Sequence, residues 1–234
     1  MYFNIQYLYV LFPAMILAMY AQSKVKGTFN KYSRVCNAYG LTGAEVAQRL
    51  LSIAGITDVR VERIGGNLTD HYDPGHKVLR LSDSVYSSQS LAAIGVAAHE
   101  TGHAVQHATG YAPLGLRSAL VPVTNIGSRL SMPMIFIGVI LGSQAGSDMG
   151  YMLVQLGIVL FSLAVVFSLV TLPVEFNASS RAVEMLDANG ILSNSELVPV
   201  KKVLSAAALT YVASAAVAIS QLLRLLLLFG RRRD

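Results

Sequence analysis

Residues 90–108 read SLAAIGVAAHETGHAVQHA, an alanine-rich apolar run that carries three histidines and one glutamate. The length of this run and its many helix-forming residues predict an α-helix. Burying two histidines and a glutamate in so apolar a helix costs free energy unless the polar groups find partners. The stretch therefore indicates a helix that carries a functional site.

The first two histidines of this helix form an H-E-x-x-H motif, made by His99, Glu100 and His103. Residues four apart lie on one face of a helix, so the two imidazoles converge on one point. Neutral imidazole is an ordinary ligand of zinc. Glu100 lies about 100° round the helix from His99, beside the metal, where it can accept a proton from a water that zinc activates. The motif predicts a catalytic zinc site.

The third histidine, His107, continues the spacing but is a poor third ligand. It lies eight residues from His99, about 12 Å along a straight helix, which is too far for one tetrahedral ion. A role as a satisfied polar residue near the helix end is expected instead. The third ligand must come from elsewhere, and the candidates are the downstream carboxylates Glu175, Glu184, Asp187 and Glu196.

The composition of the 234-residue chain is that of an integral membrane protein. Hydrophobic residues make up 53% and charged residues 13%, about half the usual charged share of a soluble domain. The net charge of +5 is concentrated beside the apolar segments, which favours contact with membrane lipid and not nucleic acid. The single cysteine, Cys36, excludes an internal disulfide framework. Nothing in the sequence predicts an oligomeric state.

The order of apolar and polar segments predicts five parts. Residues 1–21 form an N-terminal transmembrane anchor, 22–118 the metallopeptidase part, and 119–172 a transmembrane helical hairpin. Residues 173–202 form a second polar segment, and 203–234 a long apolar helix with a basic tail. Lys and Arg follow the first span and recur in the second polar segment, so both polar parts are expected on the cytoplasmic side. Whether 203–229 spans stays open, because basic residues flank both of its ends.

The polar part is predicted to be α+β within a mainly helical membrane protein. Thr42 and Glu45 predict a capping box, and Gly55 marks the end of that helix. The alternating residues of 58–82, broken at residues 65–67 and 74–75, predict a short antiparallel sheet of two or three strands. An exposed edge of this sheet is a candidate cleft for an extended peptide.

Two segments resemble known membrane metallopeptidases. H-E-x-x-H followed by E-x-x-A (Glu175 to Ala178) is similar to the gluzincin pattern of HtpX and the CAAX prenyl proteases. A closer resemblance, to YugP-type membrane zinc metallopeptidases, covers nearly the whole chain through KYSRV, GLTGAEVAQRLL, LTDHYDP, KVLRLS, AAIGVAAHETGHAVQH, PVEFNASSRA and ALTYVASA. It implies a zincin-like domain in a multi-pass bacterial membrane protein. It also implies one zinc ion per chain, held by His99, His103 and Glu175, with Glu100 as general base.

The sequence offers several candidates for the groups that support this site. HtpX-like proteins usually have an aspartate after E-x-x-A, and this chain has Ser179 there. A zinc-bound imidazole needs a partner on its other nitrogen, so Ser179, Asn177 or another group is expected to serve. Arg181 and His71 are candidates for stabilising the oxyanion of the reaction.

The leading functional prediction is a membrane-embedded zinc endopeptidase that cuts membrane or membrane-proximal proteins. An alternative is a non-proteolytic membrane adaptor with a structural or degenerate zinc site. Structural zinc usually has four protein ligands, often cysteines, and has no need of Glu100, so the motif favours catalysis. A third possibility, a hydrolase of lipid or prenyl-linked substrates, would need a deep apolar cavity.

Overall fold

The computed structural model describes residues 9–145 and 148–229. Seven helices and three strands occur in this part of the chain. They are α1 Phe12–Tyr32, α2 Gly43–Ile53, β1 Arg60–Ile64, β2 His71–Asp73, β3 Val78–Ser82, α3 Asp83–Tyr86, α4 Leu91–Ala108, α5 Ala112–Ala145, α6 Asp148–Ala188 and α7 Asn194–Phe229. The protein is thus mainly helical, with one small sheet.

The chain divides into two compact units. The apolar unit comprises Met1–Tyr20, Leu116–Leu172 and Tyr211–Asp234. The polar unit comprises Ala21–Gly115 and Pro173–Thr210. Each boundary between the units falls inside a helix, so α1, α5, α6 and α7 contribute residues to both.

Three described helices are long and apolar enough to cross a membrane, α5, α6 and α7. Many large side chains of the apolar unit are exposed, such as Phe136 at 67% and Met152 at 68%, as expected for surfaces that face lipid. The helix that sequence alone left open, α7, is therefore a candidate span. Some predicted segments lie outside the described residues: residues 1–8 of the anchor, residues 146–147 of the hairpin, and the arginines at 231–233.

Two transmembrane-type helices pack closely in the apolar unit. A side chain on Gly138 would lie 2.6 Å from the backbone oxygen of Gly150, so only glycine allows α5 and α6 to approach here. Small residues commonly permit such contact between helices in membranes. A cluster of buried side chains completes the packing and consists of Ile135, Val154, Ile158 and Leu225.

The helices are longer than the apolar segments that predicted them. The second helix of the hairpin, expected to end at residue 172, continues through Pro173 to Ala188. The helix expected to begin at residue 203 already begins at Asn194. A proline removes one backbone hydrogen bond but can be tolerated where neighbours compensate. As a result, Glu175 lies within α6, two residues past the proline, and not at the start of a new helix.

The prediction of an antiparallel sheet was right for β2 with β3 and wrong for β1 with β3. The strand order is β1-β3-β2, with β2 antiparallel and β1 parallel to β3. Residues 65–70 form a connection long enough to skip one strand position, about 10 Å. The turn at residues 74–77 then brings β3 back between the other two. The sheet is therefore mixed, and the three-residue β2 forms one of its edges.

Helix α2, the first helix that lies wholly in the polar unit, begins where the sequence predicted. The Thr42 hydroxyl accepts from the backbone of Glu45, and the Glu45 carboxylate accepts from the backbone of Thr42. Gly55 follows the helix with φ +71°, a conformation that glycine adopts without strain. The capping box that begins α2 is therefore confirmed.

Helix α4 is buried on both of its faces and so lies at the centre of the polar unit. One face packs on the sheet, where Ala93 and Ala97 join the same cluster as Leu79 and Leu81. The other face packs on α6 and α7, where Ile94 and Ala98 join the cluster of Ala182, Leu186 and Val200. A helix fixed on two sides holds its polar side chains in defined positions.

Candidate metal centre

Three potential ligands from two helices meet at one point. Helix α4 contributes His99 and His103, one turn apart, and α6 contributes Glu175. Their ligand atoms all lie within 4.8 Å of one another. Glu175 Oε2 is 3.2 Å from His99 Nε2 and 3.6 Å from His103 Nε2. Glu175 is 2% exposed and His103 is 8% exposed, so both side chains have little access to bulk water.

Small residues let the two helices approach closely enough for this convergence. A side chain on Gly102 would lie 2.6 Å from the carbonyl oxygen of Ala178, so α4 has no room for one at this point. Ala178 follows Glu175 by one helical turn, and Ala182 follows one turn later. Both alanines are fully buried. The alanine of E-x-x-A and the glycine inside H-E-x-x-H thus set the distance between α4 and α6.

Each histidine has a partner on the nitrogen that faces away from Glu175. His99 Nδ1 is 3.1 Å from the hydroxyl of Ser179. This serine occupies the position where an aspartate was expected from the HtpX-like pattern. Since a hydroxyl both donates and accepts, it can take the Nδ1 hydrogen of His99 and leave Nε2 as a ligand.

The partner of His103 is Gln106, which the sequence analysis did not single out. The Gln106 amide nitrogen donates to the Val174 carbonyl at 2.8 Å and to Asn177 Oδ1 at 3.0 Å. Its oxygen must therefore face His103 Nδ1, 3.0 Å away, and accept its hydrogen. The completely buried Gln106 thus fixes the His103 tautomer, with Nε2 facing Glu175. A polar residue one turn past His103 in an apolar helix is the signal that could have identified it.

The charge around His103 favours a cation. Burial by itself lowers the pKa of His103, but the Glu175 carboxylate and the charge of Glu100 outweigh it, so the pKa is raised above its ordinary value. The same negative field attracts a proton or a metal ion at this imidazole.

We expect Gln106→Leu to weaken zinc binding about 10- to 100-fold, the usual cost of removing an outer partner of a metal ligand. Leucine has similar size but cannot accept from His103 Nδ1. Competition with a fluorescent zinc chelator measures the change in Kd. Gln48→Leu, an exposed glutamine of α2, is the matched control and should bind zinc as the wild type does. Equal affinities in all three proteins would show that Gln106 does not position His103.

Glu100 lies beside the cluster and is held by the edge strand. Its Oε2 accepts from the backbone N–H of Tyr72 in β2 at 3.0 Å. It does not belong to the group of potential metal ligands found in the described residues. This placement leaves the carboxylate next to the ligands with a fixed orientation, as a proton acceptor requires.

The same tyrosine also engages the third histidine of the helix. The Tyr72 hydroxyl is 2.8 Å from His107 Nδ1, and the two rings are 5.8 Å apart. Burial raises the pKa of Tyr72, and the charges of Asp58 and Asp73 add to this, so its hydroxyl stays protonated as a donor. His107 is thus a partner of the edge strand and not a member of the ligand cluster.

The other predicted site residues make different contacts. Arg181 Nε donates to Asn177 Oδ1 at 2.8 Å, and its guanidinium lies over the Tyr111 ring. It is therefore linked through Asn177 to the network that holds His103. His71 contacts the Thr69 carbonyl and Arg80. Strand alternation puts His71 on the opposite face of β2 from Tyr72.

The remaining carboxylate candidates lie outside the cluster. Glu184 accepts from Ser180 on the surface of α6. Glu196 caps α7 through Ser193 and also accepts from the Ala38 backbone. Asp187 is exposed on the last turns of α6. Of the four acidic residues considered as third ligand, only Glu175 is placed next to the two histidines.

The donor set fits a zinc ion. Two zinc ligands at ~2.0–2.1 Å in a tetrahedron lie about 3.3 Å apart, close to the distances from Glu175 to the two imidazoles. Two imidazoles and one carboxylate are a known set for catalytic zinc, which keeps one position open. No cysteine joins the group in the part of the chain that the structure describes, and Cys36 is exposed.

Two comparisons with known proteins found matches to this chain. Residues 7–230 match the family described as "Putative neutral zinc metallopeptidase". The chain is 49% identical over 229 residues to "Putative membrane protease YugP" of Bacillus subtilis (strain 168), which covers 97% of this chain and 98% of that protein. No solved structure matches the chain. The resemblance seen in the sequence is confirmed, and the chain belongs to the neutral zinc metallopeptidase family.

Proposed function

We propose that the protein is a zinc-dependent endopeptidase of the membrane, with one zinc ion per chain. The observation that carries the proposal is the convergence of His99, His103 and Glu175 beside Glu100. The family name supports zinc and peptidase chemistry. The three apolar helices and the relative's description as a membrane protease support membrane association.

Glu100 acts as the general base in this proposal. Zinc at this centre would lower the pKa of a bound water and polarise the substrate carbonyl. The Glu100 carboxylate accepts the proton of the attacking water and later passes it to the leaving amine. Its bond from the Tyr72 backbone keeps one oxygen in place, which leaves the other oxygen for the proton.

An extended peptide is the substrate that the edge strand favours. In a strand, the N–H and C=O of one residue point to the same side. Tyr72 directs its N–H to Glu100, so the free edge of β2 is the edge beside the catalytic group. A peptide lying along this edge would place its scissile bond near the metal. Segments of membrane proteins that emerge at the cytoplasmic surface are the proposed substrates, given the basic residues that flank the apolar segments.

The test is removal and restoration of zinc. Detergent-purified protein should cleave an unfolded protein such as casein, or a single-span membrane protein. Cleavage should stop once 1,10-phenanthroline has removed the zinc and should return with one equivalent of zinc per chain. Inhibitors of serine peptidases should have no effect.

Three outcomes would overturn the proposal. Cleavage that persists after the zinc is gone would assign the activity to another group. A zinc-loaded protein that cleaves neither protein substrates nor peptides would support the adaptor function. Hydrolysis of a lipid ester or prenyl-linked substrate without peptide cleavage would support a lipid hydrolase.

A further inference from the structure

Two helices of the polar unit line a groove away from the metal ligands. It has a volume of about 700 Å³. From α1 it is lined by Lys24, Gly27, Thr28, Lys31 and Tyr32, and from α7 by Val198, Lys201, Lys202, Ser205 and Ala206. In each set the first four residues follow the spacing i, i+3, i+4, i+7, which is one face of a helix. The groove is therefore formed by two facing helix surfaces.

The chemistry of the groove suits an anion that carries several oxygens. Four lysines line it, together with the hydroxyl groups of Thr28 and Ser205. No acidic side chain is among the lining residues that the structure describes. The ammonium groups of Lys31, Lys201 and Lys202 carry like charge around one cavity, and a bound anion relieves their repulsion. A phosphate group accepts hydrogen bonds from both ammonium and hydroxyl donors.

The position of the lysines along the chain indicates where such a phosphate comes from. On α1, Lys24 follows the apolar residues 12–21 after only Gln22 and Ser23. On α7, Lys201 and Lys202 come directly before the apolar residues 203–219, part of a helix able to cross a membrane. Basic groups at such junctions lie at the depth of lipid headgroups. The phosphate groups of lipid headgroups lie at this depth, so they are the phosphates nearest to the groove.

We propose that this groove binds the phosphate of an anionic phospholipid headgroup. The lysines supply charge, and the hydroxyls of Thr28 and Ser205 supply additional hydrogen-bond donors. Binding there would link α1 to α7 through a lipid. The proposal does not depend on the metal centre or on peptidase activity.

Native mass spectrometry of the full chain in a neutral detergent tests this proposal. Phosphatidylglycerol should remain bound as a discrete adduct and phosphatidylcholine should not. The triple variant Lys31→Gln, Lys201→Gln, Lys202→Gln should lose at least about tenfold in affinity for phosphatidylglycerol. The single variant Lys31→Gln should lose about fivefold. Circular dichroism checks that the helices are retained.

A matched control removes the same charge elsewhere. Lys26, Arg34 and Arg49 are exposed and do not line the groove, so replacing all three by Gln should leave phosphatidylglycerol binding unchanged. Equal loss in this control, or equal binding of the two lipids, would overturn the proposal. Displacement of the lipid by millimolar inorganic phosphate or by polyglutamate would show instead that the groove serves a soluble anion.

Discussion

We expect Glu100→Gln to lose nearly all peptide cleavage while keeping its zinc. Glutamine keeps a side-chain oxygen that can accept from the Tyr72 backbone, the bond that now holds Glu100. It cannot accept a proton from water, however, so kcat should fall about 10²- to 10⁴-fold, the usual contribution of a general base. Cleavage of casein measures the rate, and elemental analysis of the same sample measures the zinc.

A control on another helix makes this result specific. Glu184 is exposed on α6 and bonds only locally to Ser180, so Glu184→Gln should retain full activity. If Glu100→Gln cleaved at the wild-type rate, the residue would not be the base. If the variant lost its zinc, Glu100 would be a ligand, and the roles of Glu100 and Glu175 would need to be exchanged.

Glu175→Ala should lose its zinc, which is the second large effect expected. The substitution removes one of three ligands and leaves two imidazoles that no longer face a carboxylate. Zinc bound with only two protein ligands should dissociate during purification in the presence of a mild chelator. Elemental analysis should find about one zinc per wild-type chain and much less than that in the variant.

Glu184→Ala is the matched control for this experiment, because it removes a carboxylate from the same helix outside the cluster. It should retain zinc as the wild type does. Undiminished zinc in Glu175→Ala would contradict the ligand assignment and return Glu184 and Asp187 to consideration. Retention of helical circular dichroism in both variants shows that zinc is lost through the ligand and not through unfolding.

Local sequence patterns predicted much of this molecule. The spacing of His99 and His103 placed both imidazoles on one helix face, and the apolar runs predicted the long helices. The capping box at Thr42 was visible because it depends on residues only three apart. Each of these features is determined by neighbours along the chain, which sequence patterns record directly.

Features that depend on distant segments were harder to predict. The parallel pairing of β1 with β3 depends on which strand fills the middle position, and alternation of residues carries no information about that. Gln106 was missed because its role depends on Val174 and Asn177, about seventy residues away. The extension of α6 through Pro173 depends on packing against α4, whereas proline on its own predicts a helix end.

The identification of Glu175 as the third ligand also depended on more than local sequence patterns. Position along the chain left four carboxylates open, and the resemblance to known metallopeptidases then favoured Glu175 among them. The physical reason is the close approach of Gly102 to Ala178, which brings that turn of α6, and no other, onto the histidines. The motif E-x-x-A is short because one ligand and one small contact residue are enough to define this approach.

The most direct measurement of the central claim is zinc K-edge absorption of the purified wild type. We predict one zinc per chain with only nitrogen and oxygen ligands, including two imidazoles, at about 2.0–2.1 Å. A protein without zinc, or a sulfur ligand at about 2.3 Å, would contradict the account, because the chain's one cysteine, Cys36, lies outside the ligand group.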